Sequence, residues 1–134
     1  MTLVHLDTGF LIRALVRGSP EDDVLRTWLA GDTPIAMSAV AWAEFLCGPL
    51  VESDKAVARR LVGQPAPFEE ADAEVASAMF NQGSRRRGTF VDCLVAAAAL
   101  RARARLATSN PVDFRRFADS GLEVVTRSDA GGRA

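Results

Sequence analysis

Residues 3–12, Leu3-Val4-His5-Leu6-Asp7-Thr8-Gly9-Phe10-Leu11-Ile12, pass directly from a short apolar run into a helical pattern. Leu3 to Leu6 has the length and apolar content of a buried strand, and Phe10, Leu11, Ala14 and Leu15 recur at helical spacing until Gly18-Ser19-Pro20. The same hand-over recurs down the chain. Pro34-Ile35-Ala36-Met37 reads as a strand, Ser38 as the cap of the next helix, and Val40, Ala43 and Leu46 as its apolar stripe before Gly48-Pro49. Arg105-Leu106-Ala107-Thr108 is a strand followed by Ser109-Asn110-Pro111 and a helical turn through Phe114, and Leu122 to Val125 is a last strand. Between them lie helices over about 20–30, 53–62, 69–82 and 89–103, the last expected to be the longest. Ala73, Ala76, Met79 and Phe80 are expected to face inward from the helix over 69–82. Glu21-Asp22-Asp23 sit in a first turn, where acids complement the helix dipole, and read as structural. Short strands alternating with helices define an α/β fold with a central parallel sheet flanked by helices.

The 134 residues fit one domain, and 49% apolar residues supply one core. No repeat or linker divides the chain; the domain is expected over 1–127, with the small, polar residues 128–134 as a flexible tail. Net charge is −1, so no overall basic field attracts nucleic acid, and any such partner must be held by a local patch. Lys55 is the only lysine. Arg85-Arg86-Arg87 is the one concentrated basic run. A solvated loop is the usual fate of such a run, but its place just ahead of Asp92 makes it a candidate RNA-phosphate contact. Arg115 and Arg116 are comparable candidates, while Arg101, Arg103 and Arg105 read as a surface face and helix-dipole partners. Cys47 and Cys93 match no zinc spacing and read as small core residues with free thiols. The chain starts without a basic, apolar leader pattern, and no apolar run approaches the ~20 residues needed to span a bilayer, so a cytoplasmic protein without a membrane partner is expected.

Four acids stand out, two of them just after strands. Asp7 follows the first strand, and Asp113, with Asn110 beside it, follows the strand at 105–108. Glu44 lies on the helix entered from the second strand, and Asp92 lies near the start of the helix over 89–103. Ligands of open parallel sheets bind beyond the strands' carboxyl ends. Each acid has apolar neighbours (Leu-Asp-Thr, Ala-Glu-Phe, Val-Asp-Cys, Val-Asp-Phe), so each is expected to be partly buried. Gathered carboxylates repel one another, and a hard divalent cation with oxygen ligands relieves that repulsion; Mg²⁺ suits such a site, and Mn²⁺ can replace it. The local alternatives are helix caps or dipole acids at Asp7, Asp92 and Asp113, and a solvated helix position at Glu44. His5, the only histidine, stands inside a strand, which leaves no Ser–His–Asp set and no histidine-based nuclease.

The segments Leu6-Asp7-Thr8-Gly9-Phe10-Leu11-Ile12, Ala43-Glu44-Phe45-Leu46-Cys47-Gly48, Asp92 to Leu100 and Ala107-Thr108-Ser109-Asn110-Pro111-Val112-Asp113-Phe114 resemble, in order and spacing, the motifs of the PIN-domain family. Size and layout are similar to the VapC-type toxins of bacterial toxin–antitoxin pairs. The resemblance implies a three-layer fold and an acidic site of Asp7, Glu44, Asp92 and Asp113, with Asp7 and Asp92 holding Mg²⁺. It also implies supporting roles for Thr8, Thr108 and Asn110. Family members carry either an acid at the Asn110 position or an Asn followed by an Asp-Phe pair, as Asp113-Phe114 here. Gly9 departs from the Asn or Ser frequent at its position. The implied activity is endoribonucleolytic, with RNA as substrate, a VapB-type antitoxin as inhibitor, and a homodimer or a hetero-oligomer with the antitoxin as the assembly. A catalytically silent PIN scaffold and a receiver-like Mg²⁺-binding signalling module are the alternatives. The second requires a lysine on a late strand, and Lys55 is mid-chain.

Overall fold

The computed structural model of the chain describes residues 2–83 and 89–129. The basic run Arg85-Arg86-Arg87 and most of the anticipated tail lie outside them. The sheet has four parallel strands, β1 (Val4–Leu6), β2 (Ile35–Ala36), β3 (Arg105–Ala107) and β4 (Val124–Val125), in the order β2-β1-β3-β4. β1 therefore sits inside the sheet, with Val4 opposite both Ile35 and Arg105. Every residue of β1 and β3 is buried. Successive strand side chains point to opposite faces, so both faces of the sheet are covered by helices, which makes three layers.

Among the described residues the helices are α1 (Thr8–Ala14), α2 (Pro20–Ala30), α3 (Ala39–Cys47), α4 (Glu52–Val62), α5 (Glu70–Gln82), α6 (Phe90–Arg101) and the single turn α7 (Pro111–Phe114). Their starts follow local chemistry. Ser19 and Ser38 accept hydrogen bonds from the amides of Asp22 and Ala41, capping α2 and α3, and Pro20 stands where a helix needs no donor. Glu69 and Asp72 close a reciprocal capping box on α5. The segment near Ala66 runs beside the entry to α3, exchanging backbone hydrogen bonds with Met37 and Ala39. Phe10, Leu11, Trp28, Trp42, Phe45, Phe114 and the alanines of α6 fill the core. No helix among the described residues is long and apolar enough to cross a membrane.

Several expectations are corrected. The inward face of α3 is Ala41, Trp42 and Phe45 rather than Val40, Ala43 and Leu46; Ala43 and Leu46 are exposed. On α5, Asp72, Ala76 and Met79 are buried while Ala73 is exposed. Asp72 turns inward because Arg101 on α6 answers its charge and the Glu69 amide binds its second oxygen. α5, at 13 residues, is one residue longer than α6, at 12. Cys93 is buried but Cys47, at the solvent end of α3, is exposed. Arg105 is buried rather than on the surface. Arg127–Asp129, partly in the anticipated tail, forms a 3-10 turn that packs against α2.

Candidate active site

Asp7 takes the N-cap position of α1 at the carboxyl end of β1, yet its side chain makes no capping bond. It accepts instead from the hydroxyl of Thr108, 3.0 Å from Oδ2. Thr108, fully buried just beyond β3, also accepts the Asn110 amide at 3.0 Å. Asn110 thus contributes through its backbone, with an exposed side chain. The backbone supports this pairing: the Asp7 amide donates to Ala107 O, and the Thr108 amide to Val125 O. Thr8 lies on the other side. Its hydroxyl is 2.9 Å from Ala41 O and 3.2 Å from Glu44 Oε1, tying the start of α1 to α3.

Asp92 lies in the first turn of α6 and Asp113 in α7. Asp7 and Asp92 are half-buried, whereas Glu44 and Asp113 are exposed, so the expected partial burial holds for only two of the four. Apolar sequence neighbours bury their own side chains and leave a rim residue between them in water.

The four acids nevertheless act on one another. Burial raises the Asp7 carboxyl above its ordinary value, and Glu44 and Asp113 raise it further; the Thr108 hydroxyl and the Thr8 amide oppose the rise. Asp92 is pushed up to about 6, first by burial, then by the negative charges of Asp113, Asp7 and, more weakly, Glu44. Arg116 opposes that rise. It lies over the Phe117 ring, 4.5 Å from its centroid, and donates to Thr89 O at the head of α6. The sequence marked Arg116 only as one of several basic candidates.

A divalent cation fits this donor set chemically: the oxygens are hard, and the repulsion that raises Asp7 and Asp92 is what a cation would relieve. The coordination is not preformed. Among the described residues no three His, Cys, Asp or Glu side chains stand close enough together to hold a metal ion as they are.

Two further features adjoin the acids. Glu21, read from sequence as a structural first-turn dipole acid, is 1% exposed and accepts the Ser109 hydroxyl at 2.7 Å. Nothing in its local pattern separates it from its acidic neighbours, because the partner lies 88 residues away. A cleft of about 500 Å³ also opens beside Thr108 and Ser109 at the carboxyl ends of β3 and β4, with Arg115 and Arg127 on its walls.

A four-stranded parallel α/β sheet with interacting acids beyond its carboxyl edge defines a class of acidic-site α/β proteins. Within it, this chain belongs to the PIN domain family, whose model matches residues 4–120. No protein of curated function matches the sequence. Solved structures share the fold. VapBC-1 from nontypeable Haemophilus influenzae superposes with a TM-score of 0.72 at 18% identity, over 95% of this chain and 99% of that one. A toxin–antitoxin complex from Klebsiella pneumoniae gives 0.69 at 22% identity, over 95% and 98%. FitAcB from Neisseria gonorrhoeae gives 0.63 at 21% identity, over 94% and 99%.

Proposed function

We propose that the chain is a Mg²⁺-dependent endoribonuclease of the VapC kind, restrained by a small cognate antitoxin. The observation that carries this reading is the Asp92 carboxyl near 6, raised first by burial and then by the charges of Asp113, Asp7 and Glu44, with Arg116 opposing the rise. Such a shift marks a site built for function more often than for stability.

Asp7 and Asp92 are the residues that would hold the ion, with Glu44 and Asp113 at the rim. A bound Mg²⁺, or Mn²⁺, supplies Lewis-acid charge for a phosphodiester and eases deprotonation of a water. The chain's own residues do the positioning. Thr108 fixes Asp7 Oδ2 and so limits how the carboxylate can turn. Thr8 engages Glu44 Oε1, which leaves Oε2 to take the proton of an attacking water. Arg115 and Arg127, on the adjoining cleft, give the RNA backbone a cationic track beside the acids. Arg85, Arg86 and Arg87 remain in this proposal as a second phosphate contact ahead of α6.

The antitoxin follows from the structural neighbours, several of which are toxin–antitoxin complexes. A groove of about 320 Å³ between α1, α2 and α4, with Leu15, Leu25, Leu29, Val57 and Leu61 beside the charged Arg17, Asp22 and Arg26, offers a seat of mixed apolar and charged character for such a partner. Leu29 and Val57 are 43% and 37% exposed there.

The test is cleavage of RNA by the purified chain. Cutting with Mg²⁺, none in EDTA, and loss with both Asp7→Asn and Asp92→Asn are expected. RNA left intact by the Mg²⁺-supplied wild-type chain, across structured and single-stranded substrates, would favour the silent scaffold instead.

A further inference from the structure

At the amino edge of the sheet, opposite the acids, Arg105 is 8% exposed and its Nε is buried without a hydrogen-bond partner. It is the one such buried side-chain atom among the described residues. A guanidinium keeps its charge when buried, so an unanswered N–H there is costly unless a ligand meets it. Arg105 lines a cleft of about 290 Å³ together with Arg103, Thr2, Gly121 and Glu123.

Arg103 is unusual for a separate reason. It follows α6 with φ of 56°, a left-handed backbone normally left to glycine or asparagine. That conformation turns the chain from α6 into β3 and sets two arginines, one residue apart, on the wall of one cleft. The turn itself is held by the backbone, where Ala98, Ala99 and Leu100 accept the amides of Ala102, Ala104 and Arg103. Glu123 forms no ion pair with either arginine among the described residues, and it is exposed while Arg105 is not.

We propose that this cleft binds a phosphate-class oxyanion, either free phosphate or a phosphate of a nucleic acid. Two guanidiniums against one carboxylate leave the wall net positive. The volume suits a small anion with its waters and lies below the range of larger ligand pockets. A tetrahedral anion offers several acceptor oxygens, enough for both guanidiniums, with Arg103 reaching them from the rim and Arg105 turning toward the cleft to bring its now closed-off Nε to the anion. β3 is three residues long, so this cleft stands about 10 Å from Thr108 along the strand and is separate from the acidic site.

Thermal melts of the full chain in inorganic phosphate, against chloride at matched ionic strength, test the site. For the wild type the midpoint should climb roughly 4 °C per tenfold rise in phosphate once binding saturates. Arg105→Met should lose that climb while melting at or above the wild type in chloride, because it removes an unanswered buried charge. Glu123→Gln should begin its climb at lower phosphate. Arg103→Ala, on an exposed side chain, should weaken the response and serves if Arg105→Met does not fold. Equal responses in wild type and both arginine variants would reduce the effect to general salt stabilisation and overturn the site. So would a lowered midpoint of Glu123→Gln in chloride, since Glu123 would then be the true partner of Arg105. A second arm measures labelled single-stranded RNA binding to Asp7→Asn with and without Arg105→Met. Weaker binding in the double variant makes a nucleic acid the source of the phosphate, and unchanged binding makes it free phosphate.

Discussion

Ionising Asp92 works against the folded chain, because burial and three neighbouring acids oppose its charge. An isolated aspartate titrates near 3.9, and in the fold the group sits at about 6. The folded state thus holds a proton that the unfolded state has released. The resulting stabilisation is fully present below about pH 4 and is lost as pH rises through about 6. In EDTA, urea denaturation should find Asp92→Asn more stable than wild type at pH 7.5, by on the order of 1 kcal/mol after allowance for partial solvent screening. The two should coincide at pH 4; a gap that persists there would mean the group is not uphill to ionise. Thr108 acts one step further out. Thr108→Val should cut the RNA cleavage rate by about tenfold or more with an unchanged circular dichroism spectrum, and Thr108→Ser should restore it. The sequence singles out four acids by their places and apolar flanks, and the structure bears out the partial burial expected of them at Asp7 and Asp92 but not at Glu44 and Asp113. The partners Thr108, Arg116 and Ser109 of Asp7, Asp92 and Glu21 were less so, since each pairing joins segments that only the folded chain brings together.

Helix starts were the most legible elements, because a cap is local chemistry: Ser38 caps α3 as its position implies, and Ser19, read only as part of the preceding stop, caps α2. Ser38→Ala should lower unfolding free energy by about 1 kcal/mol with an unchanged denaturant slope, since it strips the cap of α3 without opening the core. A larger loss together with a changed slope would show that the adjoining strand at Ala66 had come away too. Helix faces were less legible. α3 is apolar on nearly every side, so periodicity cannot choose between Val40-Ala43-Leu46 and Ala41-Trp42-Phe45; the bulk of Trp42 and Phe45 decides it. On α5 a charge took a core position, because Arg101 was there to meet Asp72. Arg105 was assigned to the surface for the opposite reason: arginine is usually a surface residue, and only the path from α6 into β3 buries it.

With 16 basic against 17 acidic residues, the chain has no net field to draw in a polyanion, and its acidic site repels one. RNA affinity, read by fluorescence anisotropy, should therefore rise about tenfold or more when Ca²⁺ replaces EDTA. The Asp7→Asn, Asp92→Asn double variant should gain affinity without any cation; equal binding in all these states would separate RNA recognition from the acidic cluster. The sheet order carries a consequence in time. β1 emerges first during synthesis, yet it is flanked by β3, and the bond that orients Asp7 waits for Thr108, 101 residues later. At ribosomal speeds of roughly 10 residues per second, that interval is about ten seconds. A nascent chain in that interval lacks one neighbour of its own central strand and the hydroxyl that holds Asp7, so the arrangement around Asp7 forms only after β3 has been made.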